Sequence, residues 1–159
     1  MGGSEEGIPL LVQGLAVYRN TGANLLVPFY LTMLAEVHGM AAQPDEGLNQ
    51  LAEAATLVEA TKERWAEAEI HRLRGDLLDA VGDRATAEQS YLQAISVARQ
   101  QSAKFFELRA SASLARFWRN QGKRTEARDL LAPIYGWFAE GVAAPVLREA
   151  KALLEQLST

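Results

Sequence analysis

The sequence repeats itself every 40 residues, and this period constrains the fold more than any other feature. Leu34-Ala35, Arg74-Gly75 and Leu114-Ala115 open three segments that continue with Ala42, Gly82 and Gly122, then with Gly47, Ala87 and Ala127. Further columns keep the same register. One holds Leu11, Leu51, Tyr91 and Leu131; another holds Gly14, Ala54, Ala94 and Ile134; a third holds Val17, Leu57, Val97 and Trp137. Leu25, Trp65 and Phe105 form a fourth, which Pro145 breaks. Large apolar and small residues thus stay in separate columns. A chain of this kind is built from copies of one supersecondary unit, and no single unit buries its own apolar face.

Each unit reads as two helices. Apolar and small residues recur at spacings of three and four, as in Leu48, Leu51, Ala55 and Val58 or Ile70, Leu73, Leu77 and Leu78. Gln43-Pro44-Asp45, Gly82-Asp83-Arg84 and Gly122-Lys123-Arg124 punctuate the pairs. Pro44 suits the first turn of a helix, and Gly82 and Gly122 suit the left-handed position that ends one. Helices are expected near 8–20, 25–41, 45–60, 64–80, 84–100, 104–120, 124–139 and 143–157. The fold class is therefore all-α, an α-solenoid of antiparallel helix pairs forming a single domain over 8–159. It comprises a half-unit at 8–20, units at 25–60, 64–100 and 104–139, and a capping helix at 143–157. Residues 1–7 are expected to be a flexible tail or an added remnant, with the natural chain longer. Ala35, Gly75 and Ala115 on first helices, and Gly47, Ala87 and Ala127 on second helices, are small so that paired backbones approach closely. Larger groups there would overpack the crossing, at about 1–3 kcal/mol.

Composition excludes several function classes. The 159 residues contain 48% hydrophobic residues, enough for a core, and a net charge of −4, which argues against a general nucleic-acid binder. There is no cysteine, so disulfides, thiol catalysis and Cys-ligated zinc are out, as fits a cytoplasmic location. No signal peptide, myristoylation pattern or apolar run of membrane-spanning length is present, so no membrane partner is expected.

No catalytic, cofactor or metal motif appears. His38 and His71 stand on different predicted helices without a third ligand, and His38 shares its slot with Leu78 and Trp118, which marks it as a packing residue. Asp76 and Asp79 are three apart on a helix; the reading as an acid/base pair is weaker than the reading as a solvated face. Trp65, Phe105-Phe106 and Trp118 mark helix starts or core slots. Trp137-Phe138 precede a last helix whose Arg148, Glu149, Lys151 and Glu155 suit a solubilising cap.

Gly75, Leu78, Gly82, Ala87, Tyr91 and Ala94 resemble the tetratricopeptide repeat, a family of helix-turn-helix units. Ala115, Trp118, Gly122, Ala127, Leu131 and Ile134 match nearly as well, and Ala35, His38, Ala42, Gly47, Leu51 and Ala54 form the weakest copy. The period of 40 departs from the family's 34, and the proline expected near each unit's end is missing. The stretch from Gly122 through Trp137-Phe138-Ala139-Glu140-Gly141, followed by Leu147 to Leu157, is similar to the C-terminal end of large bacterial signalling proteins. Those join a nucleotide cyclase or DNA-binding domain to a signalling ATPase and a repeat array. The resemblance implies a non-catalytic protein- or peptide-binding scaffold, the sensor or interaction arm of such a signal-transduction protein.

It also implies a site. In tetratricopeptide arrays the first helix of each pair lines a concave groove. Counting from the small residue places Phe29, Thr32, Glu36, Gly39 and Met40 there from the first unit. The second gives Glu69, Arg72, Asp76, Asp79 and Ala80, and the third Arg109, Ala112, Arg116, Arg119 and Asn120. The groove would be apolar, then acidic, then basic. Arg109, Arg116 and Arg119 suit a carboxylate or phosphate of a peptide ligand; alternatively Glu69, Asp76 and Asp79 pair with them across helices. A separate expectation concerns the helix at 8–20, whose Leu10, Leu11, Leu15 and Val17 are taken as exposed and able to support a homodimer.

Overall fold

Among the described residues, 2–138 and 144–158, the computed structural model contains eight α-helices and no strand. They are α1 (Gly2–Asn20), α2 (Val27–Met40), α3 (Pro44–Thr61), α4 (Glu67–Ala80), α5 (Arg84–Gln100), α6 (Lys104–Asn120), α7 (Arg124–Trp137) and α8 (Pro145–Ser158). A 3-10 turn, Arg64–Ala66, leads into α4. The chain is a tetratricopeptide-like solenoid of antiparallel helix pairs. Helix α1 runs from Gly2, ahead of the start expected near residue 8. The expected stretch at 139–143 lies outside the described residues.

The backbone explains the period. Gly22, Ala42, Lys62, Gly82, Ser102 and Gly122 all have positive φ. They stand at 20-residue steps, so each helix with its exit turn is one half of the 40-residue unit. The exits at Ala42, Gly82, Ser102 and Gly122 share one bonding pattern. At Gly82 the amide donates to the Asp79 carbonyl and the next amide, Asp83, to Leu78; at Gly122 the partners are Arg119 and, for Lys123, Trp118. This pair of bonds satisfies two end carbonyls and turns the chain back. Pro44 sits in the first turn of α3, where its missing N–H costs nothing.

Helices pair as α2 with α3, α4 with α5, and α6 with α7. Leu31, Ala35, Leu51, Ala54 and Leu77 form one buried cluster, and Leu108, Ala115, Ala127, Leu131 and Leu153 form another. Ala87, Tyr91, Ala94 and Leu114 fill the space between. Leu147, Ala150, Leu153 and Leu157 of α8 are buried, whereas Arg148, Glu149, Lys151 and Glu155 face solvent. Helix α1 packs on α2 through Leu15, which is 6% exposed, and through Tyr18 against Tyr30. Leu15 is therefore core and not surface. Leu10 and Val17 are exposed, and Leu11 is half-buried.

Candidate functional site

The first helices of the pairs, α2, α4 and α6, touch in sequence, and α8 continues the row beside α6. Equal repeat positions therefore stand side by side. Phe29, Glu69, Arg109 and Glu149 form one column, Thr32, Arg72 and Ala112 a second, and Glu36, Asp76 and Arg116 a third. In the second column Thr32 is 2%, Arg72 6% and Ala112 3% exposed, so it forms the floor of the face.

A buried arginine needs partners, because an unpaired charge in that setting is costly. Arg72 has them. Its Nε and Nη2 donate to the two Glu69 carboxylate oxygens at 3.0 and 2.7 Å, and its Nη1 donates to Asp76 Oδ2 at 2.7 Å and to Ser113 Oγ at 3.3 Å. Small neighbours in its column, Thr32 and Ala112, leave room for the guanidinium between helices. Burial alone would lower its pKa; the Glu69 hydrogen bonds and the Glu69, Asp76 and Glu36 charges outweigh that and raise it. Asp76 also accepts from the Tyr91 hydroxyl at 2.7 Å, and burial together with the Asp76 charge pushes the Tyr91 pKa up. Glu69 reaches across to Arg109 at 2.9 Å.

The middle of the face is thus an ion-pair network and not an open acidic surface. The two most loosely held carboxylates in it are Glu36, 3.8 Å from Arg72, and Glu149, 3.8 Å from Arg116. Arg116 also donates to Ser113 Oγ at 3.3 Å. Arg119 bonds the side chains of Asn120 and of Gln156 on α8.

Glu36 lines three depressions on this face. One of about 380 Å³ lies over Arg72 and Arg109, between Phe105, Arg116 and the start of α8 at Pro145. A second of about 170 Å³ is walled by Phe29, Met33, Trp65 and Phe106, with Thr32 and Glu69 below. A third of about 290 Å³ is bounded by Gly39, Met40, Asp76, Leu77 and Ala80. Phe29, Thr32, Glu36, Gly39, Met40, Glu69, Arg72, Asp76, Ala80, Arg109, Ala112 and Arg116 all line one or more of these. Asp79, Arg119 and Asn120 line none of the three, and Arg119 instead bonds Gln156 on α8.

Sequence reasoning missed Phe105, Trp65 and Phe106 as wall residues. Phe105 is 46% and Trp65 36% exposed, and Phe29 stacks on Trp65 with ring centroids 5.7 Å apart. The broken column Leu25, Trp65, Phe105 and Pro145 carried that signal, since a repeated apolar slot at helix starts lies at the rim of every pair. It also missed Glu149, which occupies the same column as Glu69 and Arg109.

His38 is 8% exposed and bonds Gln43 Oε1 through Nδ1 at 2.9 Å, a packing residue as its column predicts. Among the described residues no group of three or more metal-binding side chains converges, and no helix is long and apolar enough to cross a membrane.

No known sequence family matches the chain, and no curated protein matches it either. Solved structures do. The nearly identical TPR-like repeats of a kinesin light chain-like protein from Podosopora anserina superpose with a TM-score of 0.65 at 19% identity, over 99% of this chain and 86% of that one. A single-substitution variant of the same protein gives the same figures, TM-score 0.65 and 19% identity. At this identity the likeness establishes the shared architecture, a TPR-like solenoid.

Proposed function

We propose that this chain is a non-catalytic scaffold that binds a protein through an extended peptide segment laid across the concave face. The observation that carries the reading is the set of three depressions that share Glu36 as a lining residue, on one face spanning α2, α4, α6 and α8. Neighbouring shallow pockets suit successive side chains of a peptide better than one compact molecule. Exposed aromatic walls beside a floor of satisfied ion pairs fit the same role, since aromatic and arginine side chains dominate binding energy at protein interfaces. Tetratricopeptide-like solenoids in general act as protein-interaction scaffolds. Under this proposal the chain serves, in the cytoplasm, as the sensor or interaction arm of a larger bacterial signal-transduction protein; the similarity of residues 122–157 to such C-terminal arrays supports that part.

Selection of displayed random peptides on the purified chain tests the reading. A shared motif whose binding is lost in Phe29→Ala and Phe105→Ala, with helical circular dichroism retained, is the expected result. Binders indifferent to both changes would place recognition elsewhere and overturn it.

A second reading, homo-oligomerisation through α1, rests on Leu10 at 70% and Val17 at 61% exposed on that helix. Light scattering over a concentration series decides it: a mass that stays monomeric rules it out.

A further inference from the structure

We propose that the depression between α2, α4 and α6 is a recognition pocket for one basic side chain of the bound peptide. The inference rests on the peptide-binding reading above and adds the chemistry of one subsite.

The pocket measures about 170 Å³, the scale of a single side chain and below that of a whole small-molecule site. Phe29, Trp65 and Phe106 present three aromatic rings to it, with Met33 beside them. Phe29 and Trp65 lie against each other, with ring centroids 5.7 Å apart and planes 34° apart, and together form one wall. Ring faces attract cations within roughly 6 Å of the centroid, and the attraction grows when water is excluded.

The charges favour a cation too. Glu36, Glu69 and Arg109 line the pocket, two carboxylates against one guanidinium. Arg109 is spoken for, because it holds Glu69 at 2.9 Å. Arg72, beneath, is held by Glu69 and Asp76, each at 2.7 Å. Glu36 is the carboxylate left with a loose partner: its contact to Arg72 is 3.8 Å long and its side chain is 49% exposed. An alkylammonium whose stem lies along Phe29, Trp65 and Met33 brings its head to Glu36 at the pocket edge. A neutral apolar side chain fills the same walls and leaves Glu36 unused. The arrangement therefore selects a lysine-like group, with its apolar stem and charged head.

The test uses n-butylammonium as probe and n-butanol as its neutral counterpart, followed through the indole N–H resonance of Trp65. Loss of that signal in Trp65→Phe assigns it. Butylammonium is expected to shift it saturably and butanol to shift it less. Glu36→Gln, an exposed position whose change leaves the fold intact, is expected to weaken the cation about two- to fivefold. Equal shifts from both probes, no shift from butylammonium, or an unchanged response in Glu36→Gln each overturn the proposal. Those failures leave the peptide-binding reading standing, because that reading is judged by displayed-peptide selection on Phe29→Ala and Phe105→Ala.

Discussion

The Tyr91 ring packs directly on Gly75: a Cβ built on Gly75 would stand 2.6 Å from Cε1 and 2.7 Å from Cδ1 of that ring. Tyr91 cannot swing aside, since it is 3% exposed and its hydroxyl is tied to Asp76. The same two repeat slots hold Ala35 with Leu51 and Ala115 with Leu131, each pair sharing one buried cluster. The chain therefore pairs glycine with tyrosine and alanine with leucine. Gly75→Ala gains helix propensity of about 1 kcal/mol but overpacks by about 1–3 kcal/mol, for a net loss. The double variant Gly75→Ala with Tyr91→Leu, which copies the neighbouring units, is expected to recover most of that loss. A double-mutant cycle from urea unfolding measures the coupling; additive effects would show that the two slots do not constrain each other.

Three left-handed turn positions lack glycine: Ala42 at φ 57°, Lys62 at φ 60° and Ser102 at φ 53°. A side chain in that conformation costs about 1–2 kcal/mol, against about 0.5–1 kcal/mol for the extra freedom of glycine when unfolded. Ala42→Gly is expected to stabilise the fold by up to about 1 kcal/mol. Gly82→Ala, at φ 87°, is expected to destabilise it by a similar amount. Thermal unfolding of the two variants should move in opposite directions. A shift of both in one direction would mean that backbone conformation is not what selects these residues.

Helix count, pairing and the turn glycines were legible because each rests on local rules that the 40-residue copies repeat. The 20-residue half-period was not, because Ala42, Lys62 and Ser102 adopt glycine-like geometry without being glycine. Counting on the helical stripe puts Phe29, Glu36 and Arg109 on one face, and the three line one depression. The role of Arg72 did not follow from that counting. Stripe position says which way a residue points, whereas burial of Arg72 depends on Thr32 and Ala112 being small on two other helices. For the same reason Leu15 looks exposed from α1 alone and is covered only once α2 is in place.

His71 gives a pH dependence with a definite sign. It lines the cleft between α3 and α4 beside Leu51, Ala55 and Ile70. Burial lowers its pKa from the ordinary 6.5, Glu67 opposes this and Arg74 adds to it. The fold thus prefers the neutral ring. Above about pH 6.5 that preference contributes in full; as pH falls through the window below 6.5, the unfolded chain takes up the proton first and stability declines. Glu107 adds a separate, more acidic step. Burial would raise its pKa, but hydrogen bonds from Lys104 and Arg99 lower it below 4.5, so its contribution is lost as pH drops under that value. Urea midpoints over a pH series should show both steps, and His71→Gln should remove the upper one alone. A flat profile between pH 6.5 and 4.5 in the parent protein would contradict this assignment.

Arg72 fixes the floor on which the proposed site stands, and its removal separates structure from recognition. Arg72→Met keeps the apolar stem and deletes the guanidinium. Glu69 then retains Arg109 at 2.9 Å, and Asp76 retains Tyr91 at 2.7 Å. Neither carboxylate is stranded, so the loss falls to about 1.5–3 kcal/mol, short of the roughly 3–5 kcal/mol for breaking an isolated buried pair. The guanidinium is shielded, so added salt should change that figure little. Arg116→Ala is the contrast: its 3.8 Å contact with Glu149 is exposed on both sides, and its removal is expected to cost under about 0.5 kcal/mol. Urea midpoints of both variants at low and high salt decide the matter. If Arg72→Met proves neutral or stabilising, the network sets the shape of the concave face at no net gain in stability. The displayed-peptide motif should then change in that variant even though the fold does not weaken.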